Sequence, residues 1–272
     1  MSLETGIDFG LDGAVAIVTG GGSQERGLGN GAAAAIMLAR AGARLALLDR
    51  ERENAAATAA RIGEEGGEAR VYECDVSRDE ECAATVAAVE ADLGPAGVLV
   101  NNVGVAGPPG NALEVDLERW DEDMRVNVKS MVQMSRHTLP QMLASGRGAI
   151  VNVSSAAGML GGHPALLYAT SKGAIIQMTR TMAAQHGEAG VRVNCVAPGM
   201  VYSPMVVARG MTEEMREQRR QRSILKTEGT PWDVGAAVLF LASELGRWIT
   251  GVILPVDAGY SAGTSLPSPP RK

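Results

Sequence analysis

The stretch Ala14-Val-Ala-Ile-Val18, followed by Thr19-Gly-Gly-Gly-Ser-Gln-Glu-Arg-Gly-Leu-Gly29 and the alanine-rich residues 29–41, decides the fold. Five consecutive small or branched apolar residues read as a strand buried on both faces. The glycines allow a tight turn and a close backbone approach to a ligand. The alanines that follow read as a helix, and Gly42 is its stop signal. A helix N-terminus behind a glycine turn is a ready site for a pyrophosphate. The next strand, Arg44-Leu-Ala-Leu-Leu48, ends at Asp49, 20 residues after Gly29. An acid at that distance can accept hydrogen bonds from both ribose hydroxyls of an adenosine. Alone, Asp49 reads equally as a turn acid or a helix cap; with the glycine turn it points to a dinucleotide.

Working outward, strand-length apolar runs keep alternating with helix-length segments. Helices are expected over residues 51–65, 77–93, 116–124, 125–143, 166–186, 212–222 and 231–243. Ser77 is the expected cap of the second of these, with Glu80 in the capping-box position. Strands are expected over residues 69–73, 97–100, 148–153, 191–196 and 251–254. This alternation implies right-handed βαβ units and a seven-stranded, mostly parallel sheet covered on both faces. The fold class is therefore α/β: a doubly wound Rossmann fold in a single domain over residues 11–260. Residues 1–10 read as an extension and the Ser/Pro-rich residues 261–272 as a disordered tail. Ligands of such a sheet sit at the carboxyl ends of its strands.

The 272 residues carry 25 basic and 31 acidic side chains, a net charge of −6, which argues against a nucleic-acid partner. Aromatics are only 3% against 34 glycines, so the core must be built from Ala, Val, Leu, Ile and Met. No apolar run reaches the roughly 18 residues of a membrane span. The N-terminus lacks a basic signal-peptide region. Cys74, Cys82 and Cys195 are too scattered for a disulfide framework or a metal site. The expectation is a cytoplasmic protein with neither metal nor membrane partner.

Tyr168-Ala-Thr-Ser-Lys172 places a phenol and an ammonium one helical turn apart on one face. A free phenol is a poor base at neutral pH, but a nearby ammonium stabilises its anion. Alone, the pair reads as a surface tyrosine above a solvated lysine, since such pairs occur often by chance. It has company: Ser155 lies 13 residues before Tyr168, Asn101-Asn-Val-Gly104 follows the fourth strand, Asn127 lies in a long helix, and Asn194-Cys-Val-Ala-Pro-Gly199 closes the sixth strand. In this order the motifs resemble the short-chain dehydrogenase/reductase family over residues 11–260.

The resemblance implies a nicotinamide dinucleotide and a catalytic tetrad of Asn127, Ser155, Tyr168 and Lys172. In these roles Tyr168 exchanges a proton with the substrate oxygen, and Ser155 donates a hydrogen bond to it. Lys172 supports the phenolate and reaches the nicotinamide ribose, while Asn127 holds a water on the proton path. Ser154 is the neighbouring alternative to Ser155, and the 13-residue spacing favours Ser155. Implied cofactor contacts are Gly20, Gly27, Leu28, Gly29, Asp49, Arg50, Asp75, Val76, Asn101, Asn102, Val103, Gly104, Tyr168, Lys172, Pro198, Gly199, Val201 and Ser203. Asp49 favours NAD over NADP, against the opposing pull of Arg26 and Arg50. Two departures from the family pattern stand out. Six residues separate Gly20 from Gly27 where three are usual, an insertion similar to loops of enoyl reductases. Those enzymes, however, separate Tyr and Lys by six residues, and here three intervene. Asp257-Ala258-Gly259 replaces the commoner Asp-Gly-Gly.

The substrate is expected between residues 156–167 and the segment beginning Met200-Val-Tyr-Ser-Pro-Met205. Both are largely apolar. Met159, His163, Met200 and Met205 read as substrate contacts or plain packing, and His163 also as a surface ring on Pro164. Arg219, Arg220 and Arg222 read as a solvated helix face that could still meet an acidic group. The reading is an NAD-dependent oxidoreductase of an apolar secondary alcohol or its ketone, assembled as a homotetramer. Rivals are an NADPH-driven 3-oxoacyl ketoreductase, a catalytically silent dinucleotide-binding protein, and a methyltransferase, which has no need of the Tyr–Lys pair.

Overall fold

Side chains alternate across a strand, so β1 (Val15–Thr19) feeds two cores at once. Ala16 and Val18 face one helical layer, and Val15 and Ile17 face the other. The computed structural model describes residues 8–23, 27–208 and 210–263. In it β1, β2 (Arg44–Asp49), β3 (Ala69–Glu73), β4 (Ala96–Asn101), β5 (Gly148–Val153), β6 (Val191–Pro198) and β7 (Ile253–Val256) form one sheet. Its order is β3-β2-β1-β4-β5-β6-β7 and every pairing is parallel. The expected single doubly wound α/β domain is therefore found.

On the first face α1 (Asn30–Arg40) packs against α9 (Pro231–Ala242). Alanine makes this contact intimate: a Cβ on Gly235 would lie 3.0 Å from the Ala33 carbonyl carbon. α2 (Arg52–Glu64) packs against α1 and β3. On the second face lie α3 (Asp79–Leu93), α5 (Ser130–Ser145) and α6 (Leu166–His186). α4 (Leu117–Met124) runs into a π-helical turn, Arg125–Lys129, before α5 begins. The chain winds outward from β1 to β3 and then crosses back to β4. The carboxyl ends of β1 and β4 therefore flank a crevice. α7 (Pro204–Val207) and α8 (Glu213–Arg222) follow β6 over that end of the sheet.

Some expected boundaries shift. α3 starts at Asp79 with Arg78 as its cap residue, and no side chain caps it. Ser77 is occupied elsewhere: its N–H donates to Asp75 Oδ1 at 2.9 Å and its Oγ accepts from Arg125 at 3.0 Å. Glu81, not Glu80, reaches back to the Asp75 N–H at 2.9 Å. β7 starts two residues later than expected, because Gly251 turns at φ +73°. Phe9 packs on the first core and its carbonyl accepts from Glu244 N–H at 2.9 Å, so the domain takes in part of the expected extension. The rest of that extension, residues 1–7, and residues 264–272 of the expected tail lie outside the described residues. Among the described residues no helix is long and apolar enough to cross a membrane.

Candidate active site

The β1 turn shows why glycine is needed near the crevice. Gly20 bends at φ +61°, and a Cβ on Gly22 would lie 2.5 Å from Asp49 Oδ2. A Cβ on Gly31 would lie 2.2 Å from the Gly20 carbonyl oxygen and 2.5 Å from Asn102 Nδ2. Asn102 ties the turn to β4: its Nδ2 donates to the Thr19 and Gly20 carbonyls, both at 3.1 Å. Asp49 is held at the mouth, its Oδ2 accepting from Gly22 N–H and its Oδ1 from Glu51 N–H, each at 3.1 Å. Sequence reasoning misses Gly22 and Gly31 and weighs Gly27 and Gly29 instead. A glycine inside an alanine-rich helix gives no signal until the packing is known. Gly29 lines the crevice, whereas a Cβ on Gly27 would meet nothing within 4 Å among the described residues, and Leu28 packs on the core. Arg26 lies outside the described residues.

A cleft of about 940 Å³ runs from this turn across the carboxyl ends of the strands. Besides Gly20, Gly29 and Asp49, its lining includes Arg50, Asp75, Val76, Asn102, Val103, Gly104, Pro198, Gly199, Val201 and Ser203. Burial pushes the Asp75 carboxyl up, but hydrogen bonds from Ser77 and the charge of Arg125 outweigh it and leave it below the ordinary value. Arg50 is exposed and pairs with Glu51 at 3.5 Å. Ser203 precedes α7, and its side chain makes no capping bond. Asn101 turns away from the cleft: its Nδ2 donates to Asn152 at 2.9 Å and to Ser135 at 3.3 Å, both inside the core.

Ser155, Tyr168 and Lys172 share the wall of this cleft. Ser155 ends the β5 connection, half-buried, with its Oγ accepting from Ala157 N–H at 3.2 Å. Ser154 is buried, and its hydroxyl donates to the Lys172 carbonyl at 2.7 Å, a structural bond that leaves Ser155 the more available hydroxyl. Lys172 is buried, donates to the Val153 carbonyl at 3.2 Å, and its Nζ lies 5.7 Å from the Tyr168 ring centroid. Asn127 sits in the π turn, fully buried behind the cleft. Its Oδ1 accepts from Val105 N–H at 2.7 Å, and its Nδ2 donates to the Val105 carbonyl and to Ser171 Oγ. π turns of this kind concentrate at functional sites. A Cβ on Gly104 would lie 3.1 Å from Lys172 Nζ and 3.3 Å from Asn127 Oδ1, so this glycine lets the β4 loop close over both.

Of the expected substrate contacts, His163, Met200 and Met205 line the cleft, while Met159 is exposed outside it. The His163 ring packs against Tyr168, centroids 5.0 Å apart, and its Nδ1 accepts from Ala165 N–H. Arg219 and Arg222 also line the cleft, so the face read as solvated turns partly inward. Burial lowers the Arg219 pKa from its ordinary value.

A cradle that only glycine permits and an acid held at the end of β2, in one cleft with Ser203, fit a dinucleotide. A family profile described as enoyl-(acyl carrier protein) reductase matches residues 21–261. Galactitol 2-dehydrogenase (L-tagatose-forming) of Cereibacter sphaeroides is 40% identical over 256 residues, spanning 93% of this chain and 97% of that one. Among solved structures, one described as a short-chain dehydrogenase/reductase from Burkholderia xenovorans superposes with a TM-score of 0.88 at 35% identity, covering 94% of this chain and 99% of its own. Another, described as an NAD(P)-dependent gluconate 5-dehydrogenase from Beutenbergia cavernae with bound NADP at low occupancy, reaches a TM-score of 0.85 at 35% identity, with 94% and 100% covered. With this likeness running nearly end to end, the chain belongs to the short-chain dehydrogenase/reductase family of oxidoreductases.

Proposed function

We propose that the chain transfers a hydride between NAD(H) and a secondary alcohol or its ketone, with Tyr168 as the general acid/base. The observation that carries this reading is the buried Lys172 ammonium 5.7 Å from the Tyr168 ring, in a cleft shared with Ser155, Asp49 and the glycine turn. When bound, the nicotinamide ring supplies the hydride acceptor or donor. The chain's own residues do the rest. Ser155 donates a hydrogen bond to the substrate oxygen and fixes its position. Tyr168 takes the proton from the alcohol, or returns it to the ketone. Lys172 stabilises the phenolate by its charge. Asn127 is a positioning residue: by clamping Val105 from both sides it fixes the β4 loop that Gly104 brings against Lys172.

NAD is the preferred dinucleotide. The Asp49 carboxylate is pinned by two main-chain bonds and stands where an adenosine ribose would meet it. A 2′-phosphate there would set like charges about 4 Å apart, a repulsion of roughly 1 kcal/mol in water and about 4 at an effective dielectric of 20. Arg50 lines the cleft but is largely exposed and paired with Glu51, so it offsets this only weakly. The test is nicotinamide absorbance over a panel of secondary alcohols and ketones with both dinucleotides. NAD-linked turnover is expected, and Tyr168→Phe should cut it roughly 10²–10⁴-fold while dinucleotide binding persists. A Tyr168→Phe variant with activity within about threefold of the parent would refute the assignment, because general acid–base catalysis is worth far more than that.

A further inference from the structure

We propose that Arg219, with Arg222 beside it, is an anion-recognition site at the substrate end of the cleft, so that the substrate is a secondary alcohol or ketone carrying a carboxylate or sulfonate. This rests on the hydride-transfer reading above and names its substrate class. The argument starts from how α8 distributes its charges. Arg216 is bound by Glu228 and by Glu213 at 2.9 Å, and Arg220 by Glu217 at 2.8 Å and Glu213 at 3.0 Å. These pairs use up the carboxylates of the helix face. Arg219 and Arg222, one turn apart, line the cleft and meet no carboxylate within 4.0 Å among the described residues.

Arg219 is held in place rather than waving in solvent. Its Nη2 donates to the Val201 carbonyl at 3.2 Å, on the same segment as Met200 and Ser203. Its Nε is buried with no hydrogen-bond partner among the described residues. A guanidinium offers five donors in a fixed fork, and a buried, unpaired donor costs free energy that a bound oxyanion would recover. Arg222 is fixed by donating to Tyr260 Oη at 2.7 Å, its guanidinium 5.1 Å from that ring's centroid. Glu122 and Asp123, which also line the cleft, share Arg119, at 2.7 and 3.2 Å. Arg219 and Arg222 are thus the cleft-lining arginines of α8, and neither has a carboxylate partner of its own within 4.0 Å among the described residues. The apolar side chains between, Met200, Met205 and Val206, suit a short carbon skeleton joining the reacting carbon to the anion.

The test uses the full-length protein with NAD and two matched alcohols, 3-hydroxybutyrate and butan-2-ol. The parent should favour the hydroxy acid in kcat/KM by about 10- to 100-fold, the range of a hydrogen bond to a charged group. Arg219→Gln should erase that preference through the KM for the hydroxy acid, lowering its kcat/KM about 10- to 100-fold more than that for butan-2-ol. Arg219→Lys should restore part of it, and Arg220→Gln, outside the cleft, should not change it. Calorimetric titration of the NAD-loaded parent and variants with butyrate and with propane-1-sulfonate reads the site without turnover, and the tighter ligand tells carboxylate from sulfonate. Equal use of both alcohols with no anion binding by the parent would overturn the proposal, whether or not Arg219→Gln folds. So would an Arg219→Gln defect equal on both alcohols, or one confined to NAD affinity. If no alcohol is oxidised yet butyrate binds through Arg219, the hydride reading fails and the anion site stands.

Discussion

Gly31→Ala should damage this protein although alanine is the better helix former. Gly31 lies in the first turn of α1, and exchanging it for Ala gains about 0.8–1.0 kcal/mol in intrinsic propensity. The new Cβ, however, would lie 2.2 Å from the Gly20 carbonyl oxygen and 2.5 Å from Asn102 Nδ2. Reaching even 3.0 Å from that oxygen requires a shift of about 0.8 Å, and the obstructing atom belongs to the backbone. Overpacking of this kind costs about 1–3 kcal/mol. Displacing Asn102 also endangers its 3.1 Å bonds to Thr19 and Gly20, each worth about 0.5–1.5 kcal/mol net. The sum favours destabilisation by about 1–3 kcal/mol, or roughly 3–10 °C in melting temperature. Moving the turn proposed to cradle the dinucleotide should also weaken dinucleotide binding about tenfold or more. Gly63→Ala in α2 is the control: its Cβ meets nothing within 4 Å, so it should raise stability by about 0.5–1 kcal/mol. Scanning calorimetry and NAD titration of both variants decide the matter. A Gly31→Ala protein as stable as the parent and binding NAD within about twofold would refute the close-approach argument.

Three further outcomes are expected. Arg40 grips Glu65 at 2.6 Å and, with help from Arg61, holds its carboxyl down to about 2 from 4.5. A depressed acid contributes stability above its unfolded pKa and loses it as pH falls through the folded value. The stability gap between the parent and Glu65→Gln should therefore be full above pH 4.5 and close towards pH 2, read by denaturant melts across that window. Ala258 sits at φ +54° where the family usually has glycine, so Ala258→Gly should stabilise the protein by about 1 kcal/mol; lower stability would contradict a strained backbone there. Exposed Phe240, Leu245 and Trp248, with Val132 and Leu143 on α5, suit burial between subunits, and light scattering should give a tetramer rather than a 28.2 kDa monomer.

The strands and helices of this fold are legible in the sequence because each is specified locally. Ala14-Val-Ala-Ile-Val18 reads as a buried strand between turn signals, and the stretch from Leu166 to His186 reads as a helix. The wall of Ser155, Tyr168 and Lys172 is legible for another reason: a spacing of 13 and then 4 residues survives any error in where a helix begins. What stays hidden depends on pairs of residues far apart in the chain. Ser77 reads as a cap because nothing nearby in sequence reveals Arg125, 48 residues on, as the partner of its hydroxyl. Arg219 reads as solvated because its helix is charged throughout, and only the positions of Glu213, Glu217 and Glu228 show which arginines are already matched.

The same long-range pairing explains why the site can be rigid in a protein so poor in aromatic side chains. Asn101, Asn152 and Thr179 form a buried file across β4, β5 and α6, with links of 2.9 and 3.0 Å. Above it, Ser154 and the Val153 carbonyl hold opposite ends of Lys172, its main-chain oxygen and its ammonium. Ser171 joins in between, accepting from Asn127 and donating to the Tyr168 carbonyl at 2.8 Å. Helix α6 is thus bonded to its sheet through directional contacts at the residues that flank the Tyr168 phenol. An apolar interface of alanine and methionine could slide by a fraction of an ångström at little cost, whereas buried polar partners lose about 1–3 kcal/mol when left unpaired. Placing Asn, Ser and Thr beneath the cleft therefore fixes the phenol, the ammonium and the β4 loop in one register, as the proposed proton exchange at a single substrate oxygen would require.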